Sequence, residues 1–348
     1  MSKEGRRIKT LPPMNVMTAY IMPDRNGASN LFSCEIDITE TEKFISQKRK
    51  EGLKGLGLMH IVMASYVRTI AKYPGINRFI RGQRIYARKN IEICLTIKKE
   101  MSLDAQETVV KIRPDASDSL ADIYSQVSKV VDENRCIGDG NAMDTIARVL
   151  VCIPNVFLKF TVWALKTVDY FGLLPRFLTK ASPFHASMFI TNMGSLGIPP
   201  IFHHLYAFGN VPVFISLGTK RTAYVTDKDG NVHKHKYVGI NVVCDERICD
   251  GHYYSKAFKS LKSRVCKRGY KVKNASPLFA VGHNFYLHTN FLFSSNIFLS
   301  HISNAPGRWV IIKQVLSFIA FIFFKISSSV ASSRALVASS RRIIGAPW

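Results

Sequence analysis

The stretch Val243-Cys244-Asp245-Glu246-Arg247-Ile248-Cys249-Asp250-Gly251 decides how this chain folds. An apolar run over residues 238–242 precedes it, and residues 253–265 after it have the apolar spacing of a helix. The pattern predicts a strand that ends in a cluster of charges, followed by an Asp-Gly turn into a helix. A sheet edge of this kind can present side chains for chemistry.

Strands and helices alternate along the rest of the first 270 residues. Alternating or short apolar runs predict strands over residues 31–38, 91–97, 187–192 and 211–217, with a hairpin turn at 226–231. Helical spacing predicts helices over residues 60–72 and 119–131. Thr39 followed by Glu42 has the pattern of a capping box at the start of a further helix. Strands interleaved with long helices indicate an α/β or α+β sandwich.

The positive charge of the chain is unevenly distributed. The net charge is +24, but all 24 acidic residues lie at or before Asp250. The basic residues before that point are scattered, and no aromatic stacking platform accompanies them. We therefore expect no nucleic-acid partner.

The cysteines argue against a disulfide framework or a zinc site. The seven cysteines form no Cys-x-x-Cys pair, and Cys34, Cys94 and Cys244 lie in apolar alternations where a thiol is expected to pack in the core. The N-terminal residues lack the apolar segment of a signal peptide. The sequence predicts a cytoplasmic protein without a bound metal.

Several blocks in a compatible order carry a resemblance to a known family. They are residues 34–44, 73–79, the arginine-rich turn into 91–97, 189–194 and 238–251. Together, from about Arg6 to Arg264, they resemble the catalytic domain of the acyltransferase subunits of 2-oxoacid dehydrogenase complexes, which share a fold with chloramphenicol acetyltransferase. The resemblance implies an α/β two-layer sandwich, a mixed sheet with helices, over residues 1–272. It also implies a homotrimer with active sites between subunits.

The resemblance also implies a role for the charged loop. The family loop reads Asp-His-Arg-x-x-Asp-Gly, and its His is the general base; Glu246 stands at that position here. A carboxylate, with a pKa of about 4.3, is a poorer base for a thiol of about 8.5 than an imidazole of about 6.5. Two alternatives stay open. Glu246 is a working base, or the site has lost the ancestral reaction and keeps Glu246 for a salt bridge, for example with Arg247.

Other site residues follow from the same resemblance. Thr191 falls on the position of the hydroxyl that stabilises the oxyanion. Asp250 falls on the carboxylate that holds an arginine beside the site, and Arg25 is the expected partner. The remaining residues expected to shape the site are Gly251, Asn192 and His204.

Three departures from the family limit what the resemblance implies. No lipoyl domain is expected before the catalytic region. Residues 98–104 are charged where the family has an apolar segment lining the substrate channel, and residues 144–183 form an apolar insertion. The expected function is a CoA-dependent acyltransferase with acyl-CoA as co-substrate, although no residue is assigned to CoA binding. The alternative is a catalytically degenerate trimer that binds an acyl carrier or acts as a scaffold.

Two apolar segments of the sequence are candidates for contact with a membrane or with another protein surface. Residues 146–178 have nearly helical apolar spacing broken by Pro154 and Pro175. This fits a helix packed on the sheet or at a subunit contact, or a helix that binds a membrane surface or a partner. Residues 273–348 form an acid-free tail rich in Ser and Phe, and its apolar run at 314–324 is shorter than a spanning helix. The tail derives from a shifted or extended reading frame, or it associates with membranes. Residues 144–178 and 310–325 are therefore the segments through which peripheral membrane contact is expected.

We predict that deleting residues 274–348 leaves the folding of the remaining chain intact. The tail lacks a periodic apolar face with which to dock on a core. The melting temperature of the shortened protein should match that of the full chain, and its solubility should increase. Calorimetry on both proteins measures this, and loss of the cooperative transition would show that the domain boundary is wrong.

Overall fold

The computed structural model describes residues 4–98, 107–136, 152 and 154–266. The chain divides into two compact units, one of Met1–Asn141 with Lys166–Ser276 and one of Ala142–Leu165 with Pro277–Trp348. Only residues 152 and 154–165 of the second unit are among the described ones. The predictions for the tail after residue 272 therefore lie outside the described residues, and so do those for most of residues 98–104.

A six-stranded mixed sheet forms the centre of the first unit. Its order is β2-β9-β8-β7-β5-β6. β7 runs parallel to both β5 and β8, and the other neighbours are antiparallel. The strands are β2 (Ser29–Asp37), β5 (Ile93–Lys98), β6 (Glu107–Ile112), β7 (Met188–Asn192), β8 (Val213–Thr226) and β9 (Val232–Asp245).

Helices cover one face of this sheet. They are α2 (Thr39–Lys50), α3 (Leu58–Lys72), α4 (Leu120–Cys136) and α7 (Gly251–Cys266), and α3 packs against both α4 and α7. Side chains of alternate strand positions, such as Met188 and Ile190, join the helices in the main core. The positions between them, such as Phe189 and Phe214, form a second cluster on the other face with Leu205 and Val211. This alternation is what a pleated strand buried on both faces requires.

A small second sheet and three further α-helices complete the strands and α-helices among the described residues. The sheet has the order β1-β4-β3, with β1 (Gly5–Arg7), β3 (Arg78–Arg81) and β4 (Arg84–Arg88), and its pairs are antiparallel. The helices are α1 (Pro13–Ile21), α5 (Asn155–Tyr170) and α6 (Arg176–Ala181). Among the described residues, no helix combines the length and apolarity needed to cross a membrane.

The predicted fold class is confirmed, because a mixed sheet carries a layer of helices on one face. Two local predictions are wrong. Thr39 forms no capping box with Glu42: its hydroxyl donates to Asp37 Oδ1 at 2.6 Å and accepts from the Lys236 backbone N–H. Cys34 is exposed, since it lies on β2 at the edge of the sheet, whereas Cys94 and Cys244 on inner strands are buried as predicted.

Candidate active site

The charged loop connects strand β9 to helix α7. β9 ends at Asp245, a single turn of 3-10 helix spans Glu246–Ile248, and α7 begins at Gly251. Two backbone hydrogen bonds fix the loop: Asp245 N–H donates to Pro212 C=O at 2.9 Å, and Glu246 N–H donates to Ala28 C=O at 2.9 Å. The start of the loop is thus held between the entry to β8 and the entry to β2.

Asp245 and Arg247 form a buried ion pair within this loop. Arg247 donates from Nε to Oδ1 and from Nη2 to Oδ2 of Asp245, each at 2.8 Å. Its Nη1 donates to the carbonyls of Met22 and Pro23 at 3.0 and 3.1 Å. Asp245 is 1 % exposed and Arg247 is 3 % exposed. Two parallel hydrogen bonds between ionised groups are among the stronger polar contacts in proteins, and they fix the orientation of both side chains.

Arg25 brings a second positive charge to the same carboxylate. Its Nε lies 3.7 Å from Asp245 Oδ2, and its Nη1 and Nη2 donate to the carbonyls of Tyr206 and Gly209 at 2.7 and 2.6 Å. Burial lowers the pKa of Arg25 to about 10, although the nearby Asp245 carboxylate opposes this shift. In the described part of the chain, Asp245 is the only carboxylate within salt-bridge distance of Arg25 or of Arg247.

The prediction that Arg25 pairs with Asp250 is wrong. Asp250 is exposed, and its Oδ1 accepts a hydrogen bond from the Tyr253 N–H at 2.8 Å, as the N-cap of α7 does. The arginine is held five residues earlier, by Asp245, because that carboxylate is the one buried at the end of β9. The alternative salt bridge between Glu246 and Arg247 is also wrong, since the Arg247 guanidinium is occupied by Asp245 and two carbonyls.

Glu246 lies in the chain between the two residues of the buried ion pair, but it is not part of that pair. Its side chain is exposed while both of its neighbours, Asp245 and Arg247, are buried. Among the described residues it takes part in no salt bridge. A carboxylate in this position is fixed at its backbone by buried neighbours and is available to a ligand or to another chain.

Thr191 lies in a polar row that crosses the sheet. The strand register places Thr191 beside Ser216, Ser216 beside Asn241, and Asn241 beside Ser33. Ser33 Oγ donates to Asn241 Oδ1 at 2.7 Å, and Asn241 Nδ2 donates to Pro200 C=O at 2.9 Å. Ser216 Oγ accepts from the Ile201 N–H at 3.2 Å. The row is thereby attached to the loop that follows β7, next to Thr191.

Thr191 and Glu246 are far apart within one chain. Asp245 is four residues beyond Asn241 on β9, which is about 13 Å along the strand. Two strand spacings, about 10 Å, separate β9 from β7. The proposed base and the proposed oxyanion donor are consequently separated by roughly 16 Å, too far to act on one carbonyl group.

The remaining predicted site residues are exposed. Asn192 follows Thr191 at the end of β7, Gly251 begins α7, and His204 lies in the loop before β8. The ring of His204 contacts His203 and Tyr206, with centroid distances of 4.5 and 5.3 Å. The structure therefore does not bring Asn192 and Gly251 together, because they lie at the ends of β7 and β9 respectively. Their roles at a site stay predictions.

Two features of the site were not found from the sequence. The Asp245 pairing leaves a signal in the sequence, since oppositely charged residues only two positions apart at the end of a strand can reach each other. The polar row also leaves a signal, because Ser216 and Asn241 each interrupt an apolar run. Which strands carry them side by side depends on sheet order and register.

A cavity of about 230 Å³ adjoins the buried ion cluster. Its wall includes Arg25 and Arg247 together with Arg81, Lys166 and Asp169. Neither Glu246 nor Thr191 lines it. Within the described residues no three His, Cys, Asp or Glu side chains are grouped so as to hold a metal ion.

The chain has remote structural neighbours. No family model matches it, and no curated protein matches it. A probable dihydrolipoamide acetyltransferase from Listeria monocytogenes aligns with a TM-score of 0.49 at 15% identity, over 76% of this chain and 97% of that one. The dihydrolipoamide acetyltransferase of Azotobacter vinelandii gives 0.48 at 13% identity, over 75% and 92%.

A chloramphenicol acetyltransferase gives a TM-score of 0.42 at 12% identity, over 72% of this chain and 94% of that one. All of these scores are below 0.5, so they carry no argument about what the chain does. The class that its own elements define is an α/β protein with a mixed sheet and one layer of helices.

Proposed function

We propose that this protein is a CoA-dependent acyltransferase that assembles its active site across the subunit boundary of a homotrimer. The observation that supports this most directly is the strand order and register, from which Glu246 and Thr191 are separated by roughly 16 Å in one chain. A site that needs a base and an oxyanion donor can then form only if Glu246 of one subunit meets Thr191 of another. The exposed position of Glu246 permits such a meeting.

The proposed reaction uses two groups of the chain. The Glu246 carboxylate accepts the proton of the acceptor while the acceptor attacks the thioester carbonyl of acyl-CoA. The Thr191 hydroxyl donates a hydrogen bond to the oxyanion that forms. When the intermediate collapses, the carbon–sulfur bond breaks and Glu246 returns its proton to the CoA thiolate. The buried Asp245–Arg247 pair acts indirectly, because it fixes the loop from which Glu246 extends.

The alternative is a degenerate trimer that binds an acyl carrier without turnover. It is favoured by the low basicity of a carboxylate relative to a thiol, a difference of roughly four pKa units. Acetyl-, propionyl- and succinyl-CoA should be offered with thiol, amine and hydroxyl acceptors, and release of free CoA thiol should be measured. No turnover above background with any pair, together with unchanged behaviour of Glu246→Gln, would favour the scaffold.

The shared site can be tested by complementation. Thr191→Val and Glu246→Gln should each lower turnover by at least about 10²-fold, because each removes one catalytic group. Co-expression of the two variants should restore about a quarter of the wild-type rate, since three-quarters of randomly mixed trimers contain one intact site out of three. The measurement is CoA release by the purified, co-expressed protein. The control is each variant expressed alone.

Light scattering provides the matching assembly measurement. Three chains are expected for the purified protein and for a form ending near residue 273. A monomer would contradict the trimer. Two inactive variants that stay inactive after co-expression as trimers would contradict a site shared between subunits.

A further inference from the structure

A second cavity in the first unit has an unusual electrostatic lining. It has a volume of about 220 Å³ and lies between the small sheet, the residues around β5 and β6, and helix α6. Its charged lining residues are five cations and two carboxylates, namely Arg81, Arg88, Arg113, Arg176, Lys180, Glu4 and Glu92. The lining therefore carries three more positive than negative charges.

Both carboxylates of the lining are already paired. Glu4 lies 2.5 Å from Arg81, which also contacts Asp169 at 3.1 Å. Glu92 lies 3.1 Å from Arg113 and 3.8 Å from Lys111. Across the described ranges, the other three cations of the lining, Arg88, Arg176 and Lys180, form no salt bridge. The excess positive charge is thus concentrated on these three.

Arg88 is buried in the cavity wall without a full set of partners. It is 9 % exposed, and its Nη2 donates to Asn210 Oδ1 at 2.7 Å. Its guanidinium carbon lies 4.6 Å from the centre of the Phe79 ring. Its Nε has no hydrogen-bond partner. Burial lowers the pKa of Arg88, although Glu4 and Glu92 oppose the shift. A buried cation that lacks a direct counter-charge is costly, and an anion in the cavity would offset that cost.

Helix α6 contributes two basic side chains to the lining of the cavity. Arg176 and Lys180 are both exposed and lie four residues apart on this helix, which places them on one face. They belong to the segment 144–183 that the family resemblance leaves as an insertion. Glu246 and Thr191 do not line the cavity. This site is therefore separate from the proposed acyl-transfer site.

We propose that this cavity binds the phosphate group of a small ligand, either as free phosphate or as a phosphomonoester. A phosphate carries nearly two negative charges and three strong acceptor oxygens, which matches an excess of three cations better than a single carboxylate does. Arginine guanidinium groups present parallel N–H donors to phosphate oxygens. The volume is several times the 30 Å³ or so that a water molecule occupies in the liquid, so an anion of this size has room to enter.

The test is titration calorimetry of the full-length protein at low ionic strength, where screening is weak. Inorganic phosphate and glycerol 3-phosphate are the two probes, and malonate is the dicarboxylate comparison. We expect saturable binding of at least one phosphate probe, and the double variant Arg176→Gln/Lys180→Gln should weaken it by at least about tenfold. These side chains are exposed, so the variant should retain the wild-type melting temperature.

The matched control is the double variant Lys50→Gln/Lys54→Gln, which removes two exposed positive charges from a different surface. It should change the affinity by less than about twofold, since it alters only the net charge. The tighter of the two phosphate probes identifies the source as free phosphate or a phosphomonoester. Absence of saturable binding, equal weakening by both double variants, or malonate binding as tight as phosphate would each overturn the proposal.

Discussion

Replacing Asp245 with alanine is expected to destabilise the fold by about 3–5 kcal/mol, the usual cost of leaving a buried charge without its partner. Here two guanidinium groups, those of Arg25 and Arg247, would stay buried without a carboxylate. The free energy of unfolding from urea titration measures the effect. The midpoint of unfolding should fall well below that of the wild-type protein, or the variant should fail to fold.

Asp250→Ala is the matched control for this experiment. It removes a carboxylate from the same loop, but an exposed one that accepts a single backbone hydrogen bond at the start of α7. Its cost should be about 1 kcal/mol, as for the loss of a helix N-cap. If Asp250→Ala proved the more destabilising of the two, the arginines would depend on Asp250, as the family resemblance implies, and the buried pairing with Asp245 would be wrong.

Glu246→Gln is expected to lower acyl transfer by about 10²–10⁴-fold, the range that a general base contributes. The amide keeps the size of the side chain but cannot accept the proton. Because Glu246 is exposed, the free energy of unfolding should change by no more than about 0.5 kcal/mol. CoA release at saturating acyl-CoA measures the rate, and urea titration measures the stability of the same preparation.

The variant Glu246→His tests whether residue 246 is a weak general base or no longer acts as a base. An imidazole has a pKa about two units closer to that of a thiol than a carboxylate has, so turnover with a thiol acceptor should increase by about tenfold over the wild-type protein. A loss of activity in Glu246→His together with full activity in Glu246→Gln would show that residue 246 is not the base. Any acyl transfer would then depend on other groups.

Apolar periodicity in the sequence is enough to predict the elements around the candidate site. The alternation of apolar residues before Asp245 predicts β9, and the helical spacing after Gly251 predicts α7; the structure has both. Helical spacing in the sequence also predicts α3, which begins in the structure at Leu58 rather than at residue 60. These predictions succeed because strand and helix periodicity are local properties, expressed within a few residues of the chain. The predicted Asp-Gly turn is instead the N-cap and the first residue of α7, which follow a turn of 3-10 helix at Glu246–Ile248.

Which charges meet depends on the tertiary structure. Arg25 and Asp245 are 220 residues apart in sequence, and their pairing rather than that of Arg25 with Asp250 depends on where β9 ends against β2 and β8. The distance between Thr191 and Glu246 follows from the strand order, which places β8 between β7 and β9. The cationic cavity likewise combines β3, β4, the end of β6 and α6. No sequence window contains such contacts, because register and strand order are set by packing of the whole sheet rather than by neighbouring residues.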